Sequence, residues 1–367
     1  MPSTDTSALL SAFELGPLTL RNRVVMAPLT RSRSSTEGVP PPYAADYYAQ
    51  RATAGLIISE ATNISPQARG YEYTPGVWND PQVASWHTVT DAVHRAGGLI
   101  VLQLWHTGRL SHPDVQPGGG VPVSASAIKP DGQAFTAGGM KDYLTPRALG
   151  AAEIPDIVED YRRATLNARA AGFDGVEIHS ANNYLLEQFI RDSTNRRTDE
   201  YGGSIGNRLR FPLAVAEAVV GAWEPKRVGV RLSPVTEQPG GSALDSTTMT
   251  TYGSYLAALD KLGLAYLHMI EGTTRGSRDY PGHIDLKTLR KRFRGAYIAN
   301  NGYSPEQAAE AVRSGHADLV SFGRPFLANP DFVERIRRGG PFAMEAPKEA
   351  WYGGVREGYA DYPPLAA

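Results

Sequence analysis

The sequence predicts an α/β protein folded as a (β/α)8 TIM barrel. Eight short apolar runs rich in β-branched residues recur along the chain, several of them nearly continuous in apolar residues, as strands covered on both faces must be. Helix-like segments lie between most of them, which is the alternation a parallel barrel requires. An open doubly wound sheet is the alternative. However, no G-x-G-x-x-G follows the first run, and no change of composition marks a second domain.

Ahead of the first run, "FELGPLTLRNR" reads as a short hairpin around Gly16 and Pro17 that plugs the bottom of the barrel. The runs are then "RVVMAPLT" from Arg23, "GLIISEAT" from Gly55, "GLIVLQLW" from Gly98 and "GVEIHS" from Gly175. They continue with "RVGVRLSP" from Arg227, "AYLHMI" from Ala265, "AYIANNG" from Ala296 and "DLVSFGRP" from Asp318. "PDIVEDYRRATLNARAAGF" and "SPEQAAEAVRSG" read as intervening helices, the second opened by Ser-Pro-Glu and stopped at Gly315. The widest gap, a long excursion from Trp105 to about Pro155, follows strand three and holds two Gly-rich stretches. A loop of that length in a compact domain is expected to be a functional lid or a mobile segment, here over the catalytic face. Residues 1–367 are expected to form one domain, since barrels of this kind reach such a length as single units.

Apolar residues at 41% and charged residues at 20% are ordinary for a globular chain with a sizeable core. A formal net charge of −1, with no basic block, gives no footing for nucleic acid or anionic lipid. Zero Cys excludes disulfides, a thiolate nucleophile and a cysteine-ligated iron–sulfur cluster, so redox chemistry would need another cofactor. "MPSTDTSALLSAFELG" lacks the basic and apolar regions of a secretory signal, and no apolar run is long enough to span a bilayer, so a cytoplasmic location is expected.

Active sites of parallel barrels are built at the C-terminal strand tips. Those tips carry Thr30, Glu60 with Ala61, Gln103 with Trp105 and His106, His179 with Asn182, Arg231 and Glu271. The last two tips add Gly302, Gly323 and Arg324. Loops after strands seven and eight recurrently bind phosphate in this architecture: glycines let backbone N–H groups approach the anion, and an Arg grips it bidentately. A phosphorylated ligand follows, against the alternative of Arg324 in a surface ion pair. His179 and Asn182, three apart, would share a face if a helical turn follows strand four, and could donate two hydrogen bonds to one carbonyl or phenolate oxygen. Tyr184 could act as a general acid. Metal binding is the rival reading for His179, with Glu60 and Glu271 as further ligands, although no H-E-x-x-H is present. A hydrogen-bonded core histidine is the plain alternative. Trp105, Tyr71 and Tyr352 would shape a flat, largely apolar pocket. The tail "TNRRTDEYGGSIGNR" reads as a solvated loop tied down by its arginines.

"HSANNYLLEQFI", "STNRRTDEYGGS", "LQLWHTGR", "GLIISEAT" and the terminal "WYGGVREGYADYP" resemble, in order and over nearly the whole chain, the old yellow enzyme family of FMN-dependent ene-reductases. Its bacterial N-ethylmaleimide and pentaerythritol tetranitrate reductase branch is the nearest in appearance. The resemblance implies non-covalent FMN at the C-terminal face, with Pro28, Leu29, Thr30, Ala61 and Gln103 against the isoalloxazine and Arg231 near its N1 and C2 carbonyl. Asn301, Gly302, Gly323 and Arg324 would hold the phosphate end. It further implies a ping-pong cycle in which NADPH or NADH reduces the flavin and an α,β-unsaturated carbonyl, maleimide or nitroalkene reoxidises it. His179 and Asn182 would then bind the carbonyl, and Tyr184 would protonate the α-carbon. Many bacterial relatives have a second His at the position of Asn182, and smaller residues at Asn300 and Asn301. Iron–sulfur relatives acting on dienoyl thioesters or amines are disfavoured by the absence of Cys. A metal-dependent barrel lyase or isomerase and a non-catalytic FMN protein remain as alternatives. The protein is expected to be a monomer or homodimer.

Overall fold

In the computed structural model, which describes residues 5–274 and 276–365, the eight runs become eight parallel strands. They are Val24–Met26, Leu56–Ile58, Ile100–Trp105, Gly175–Ser180, Val228–Leu232, Tyr266–Ile270, Ala296–Asn300 and Leu319–Phe322. Each pairs with the next, and the eighth closes on the first through Val320 opposite Val24. Closure leaves no unpaired edge.

Side chains along a strand alternate between the barrel interior and the helical layer. Ile57, Leu102, Val176 and Val230 face outward into the layer of helices that includes Asp80–Arg95, Ile154–Ala170, Ile205–Ala222 and Thr248–Lys261. Val25, Leu56, Ile58, Val101, Tyr266, Ile298 and Leu319 fill the interior together with Leu15, Leu18 and Leu20. Those three leucines belong to the hairpin Phe13–Leu15/Leu18–Leu20, so it plugs the barrel bottom as expected. Gly16 turns it at φ +59°, where an added Cβ would stand 2.6 Å from the Lys226 carbonyl oxygen. Two residues further along several strands the inward side chains become polar: Gln103, His268, Asn300 and Ser321 follow Val101, Tyr266, Ile298 and Leu319. The barrel is thus sealed by hydrocarbon at one end and lined with hydrogen-bonding groups at the other.

The excursion after strand three has secondary structure of its own. It carries an antiparallel hairpin, Gln133–Thr136 with Gly139–Asp142, and a short parallel pair, Val123–Ser124 with Arg147–Ala148. Ala134 and Tyr143 pack with Ala61, Trp105 and Tyr184, which fixes the flap to the catalytic face. Among the described residues no helix is long and apolar enough to cross a membrane.

Candidate active site

A cavity of about 440 Å3 opens at the C-terminal end of the barrel, within the range of small-molecule sites. Pro28, Leu29, Thr30, Ala61, Gln103, Arg231, Asn301, Gly302, Gly323 and Arg324 all line it, as do His179, Asn182, Tyr184, Trp105 and Tyr352. Tyr71 does not. It stands behind Trp105, ring centroids 5.8 Å apart, and receives the Tyr143 hydroxyl at 3.4 Å. The flap residue Tyr143 therefore draws Tyr71 into packing, and Tyr71 supports the pocket wall instead of forming it. His106 also lies outside the lining, its Nδ1 accepting from the Gly108 N–H at 3.1 Å. Burial holds this imidazole neutral, its pKa pulled down to about 3.

His179, at the end of strand four, and Tyr184, just before the helix Leu185–Ile190, meet edge to face at 4.9 Å between centroids. Trp105 meets Tyr184 at 5.0 Å, also edge to face. Burial, reinforced by the positive Arg231, holds the His179 pKa well below the ordinary histidine value, so it is a neutral donor. Asn182 does not reach the cavity by a helical turn. Asn182 and Asn183 take φ of +57° and +58°, left-handed conformations that Asn tolerates better than most residues. Their N–H groups find buried acceptors. Asn182 donates to Ser233 Oγ at 2.7 Å, and Asn183 donates to Glu187 Oε2 at 2.6 Å. Ser233 and Tyr252 both donate to the same Glu187 carboxylate, and Arg191 pairs with it at 3.0 Å in full burial.

Beneath this corner lies a polar floor. The Gln103 Nε2 donates to Glu177 Oε1 at 2.6 Å, and His268 bridges Glu177 at 2.9 Å and Ser321 at 2.8 Å. Burial alone would raise the Glu177 pKa. His268 and Arg231 outweigh it, so the carboxylate lies below its ordinary range and stays ionised. Arg231 donates to Asn300 Oδ1 at 2.9 Å, while its buried Nε has no partner among the described residues. Burial brings the guanidinium pKa down to about 10, which leaves it charged. The larger Asn300 thus serves to aim Arg231, and Asn301 anchors the loop after strand six through the Glu271 carbonyl at 2.9 Å.

At the far end, Gly302 has φ +66° and open space where a Cβ would lie, and Gly323 comes up beside Leu29. Arg324 is exposed and meets Glu345 at 3.4 Å, so the expected anion ligand already has a carboxylate neighbour. The helix Pro305–Arg313 begins here with Ser304 and Gln307 in a capping box. Two wall residues, Trp351 and Tyr352, come from the C-terminal segment, which sequence reasoning tied only partly to the site. Arg31 straps that segment by donating to the Ala350, Trp351 and Gly358 carbonyls, and its own N–H donates to Glu60. Burial raises the Glu60 pKa to about 7. Glu271, the other candidate metal ligand, accepts from Tyr297 and Tyr303 and meets His316. Both carboxylates are engaged elsewhere, and among the described residues no three His, Asp or Glu side chains converge as a metal site.

A cavity lined by Leu29, Ala61 and Trp105, with a buried arginine whose Nε is unmatched among the described residues, a neutral histidine from strand four and glycines from the tips of strands seven and eight, fits a planar phosphorylated cofactor. Residues 8–342 match the model of the NADH:flavin oxidoreductase / NADH oxidase family. The chain belongs to that family. Its members include old yellow enzymes, and the protein is an FMN-dependent oxidoreductase of the ene-reductase type that draws hydride from NAD(P)H. Its sequence is 46% identical to rice (Oryza sativa subsp. japonica) 12-oxophytodienoate reductase 1 over 97% of this chain and 92% of the relative. Among solved structures it resembles morphinone reductase at 48% identity and TM-score 0.93, covering 99% of this chain and 98% of the other. The old yellow enzyme homologue of Zymomonas mobilis gives 44% identity and TM-score 0.92, with 97% and 99% covered. These likenesses carry the family and not the narrower bacterial branch that the motifs suggested.

Proposed function

We propose that the cavity holds FMN with Arg231 and Gln103 at the isoalloxazine, Thr30 and Ala61 along its face and Gly302, Gly323 and Arg324 at the phosphate, and that the enzyme reduces α,β-unsaturated carbonyls, maleimides or nitroalkenes there. The observation that carries this reading is the convergence of neutral His179, Asn182 and Tyr184 on the wall opposite the glycine cradle. Bound FMN supplies the two-electron chemistry that joins the NAD(P)H and alkene half-reactions.

The chain's own residues do the rest. His179 and Asn182 donate hydrogen bonds to the substrate carbonyl oxygen, which withdraws electron density from the β-carbon. Tyr184 delivers its phenolic proton to the α-carbon as the hydride reaches the β-carbon, and solvent restores it. Arg231 would hold the cofactor with a buried positive charge, which favours its electron-rich form. Trp105, packed between Tyr71 and Tyr184, and Tyr352 keep water from the reacting face. NADPH or NADH and the alkene occupy the same wall in turn, so the kinetics are ping-pong. The protein works in the cytoplasm as a monomer or homodimer.

The test is an anaerobic visible spectrum of the purified protein, then NADPH, then 2-cyclohexenone. Oxidised-flavin bands that bleach with NADPH and return with the enone are expected. A protein that stays colourless after reconstitution with FMN contradicts the reading.

A further inference from the structure

An amide at the carbonyl corner can help or hinder. Its NH2 donates to a substrate carbonyl, but its oxygen, if turned inward, repels one. Backbone conformation places Asn182 without choosing between the two faces of its amide.

Thr274, in the loop after strand six, makes that choice. Its hydroxyl stands 2.7 Å from Asn182 Oδ1, and both residues line the cavity. A hydroxyl could equally accept from an amide NH2, so the direction must come from its other neighbours. Thr236 Oγ1 receives the Thr274 N–H at 2.9 Å and lies within donating distance of the Gly272 carbonyl, 3.1 Å away. The Thr236 and Thr274 oxygens are also 3.1 Å apart, a contact in which either hydroxyl can donate. Of its two hydroxyl contacts, the one to Asn182 Oδ1 is the shorter, 2.7 Å against 3.1 Å, and the Thr274 proton goes there. With its oxygen held there, the Asn182 amide presents Nδ2 to the cavity.

We infer that Thr274 is a positioning residue for substrate recognition: its hydroxyl, oriented by Thr236, fixes the Asn182 amide with the NH2 facing the substrate carbonyl. The inference rests on the carbonyl-binding role proposed for Asn182. It adds a specificity consequence, since the corner is set to receive hydrogen-bond acceptors and to reject groups that can only donate.

The experiment is calorimetric titration of the oxidised, FMN-loaded enzyme with 2-cyclohexenone, which binds without turnover. Thr274→Val removes the hydroxyl at nearly constant volume, and Thr274→Ala serves if the Val variant does not take up FMN. One misaligned hydrogen bond corresponds to affinity weaker by about tenfold. Thr274→Ser is expected to stay within about twofold of the parent, because the donor is retained. In an Asn182→Ala background Thr274→Val should add nothing further, a non-additivity that a general loosening of the loop would not produce. If Asn182→Ala weakens binding but Thr274→Val does not, or if the two effects simply add, the inference about Thr274 is overturned while the carbonyl site stands. If Asn182→Ala itself leaves the affinity unchanged, the proposed carbonyl site falls and the Thr274 inference falls with it.

Discussion

Glu187→Gln is the most demanding perturbation of the site from a distance. The Glu187 carboxylate accepts from the Asn183 N–H at 2.6 Å, the Tyr252 hydroxyl at 2.6 Å and the Ser233 hydroxyl at 3.0 Å, and pairs with Arg191 at 3.0 Å. All of this lies out of water, with both partners of the ion pair at 0% side-chain exposure. An amide in its place has one acceptor oxygen for these donors, turns an NH2 toward one of them and leaves Arg191 charged without a counterion. Breaking one partner of a buried pair costs about 3–5 kcal/mol. With an unfolding entropy of roughly 2.1 cal/mol/K per residue, the 367 residues give about 0.8 kcal/mol/K, so a loss of about 4 kcal/mol lowers Tm by about 5 °C. The same change releases the left-handed turn at Asn182 and Asn183, whose strain is roughly 1–2 kcal/mol per residue. The assay is paired: thermal or urea unfolding of the FMN-loaded protein, and KM for 2-cyclohexenone. A variant within about 1 kcal/mol of the parent, with unchanged KM, would refute the idea that Glu187 holds the turn.

Burial keeps His106 neutral to about pH 3, whereas an unfolded histidine titrates near 6.5. The unfolded chain therefore binds the extra proton first, so the stability from this residue is complete above about pH 6.5 and is lost as the pH falls toward 3, by about 2 kcal/mol at pH 5. His106→Asn, which can still accept the Gly108 N–H, should flatten urea-derived stability between pH 6.5 and 4.5; an unchanged acid slope would mean the histidine is not the titrating group. Arg231→Met removes the buried charge and leaves Asn300 Oδ1 unpaired, so FMN affinity should fall and the flavin midpoint should become more negative by about 30 mV for each 1.4 kcal/mol of lost preference for the reduced form. Redox titration of the reconstituted variant reads this directly, and an unmoved potential would remove Arg231 from the cofactor's environment.

Much of the fold was legible because a strand covered on both faces must be apolar throughout and a parallel barrel repeats it eight times. The hairpin was equally legible from Gly16 and Pro17, and its three leucines fit the barrel bottom. The cavity's cofactor candidates were readable because strand tips converge in this architecture whatever the sequence between them. Other features were not. The spacing of His179 and Asn182 alone suggests a helical turn where the chain is left-handed, although two consecutive Asn residues are themselves a signal for that conformation. The withdrawal of Tyr71 from the wall depends on its packing against Tyr143 and so on the path of the flap, which no local periodicity encodes. Ser233 and Thr274, which hold Asn182, lie 51 and 92 positions from it along the chain and are ordinary surface residue types in composition. Their roles emerge only when neighbouring strands bring their tips together.

The roles proposed for His179, Asn182 and Tyr184 concern the alkene and not the cofactor's own loading. The most direct measurement is rapid-mixing kinetics of Tyr184→Phe, following flavin absorbance with NADPH and then, separately, with 2-cyclohexenone. Flavin reduction near the parent rate is expected, with reoxidation by the enone slowed by about 100-fold, the lower end of what a positioned acid contributes. Equal rates with the enone for parent and variant would contradict those roles.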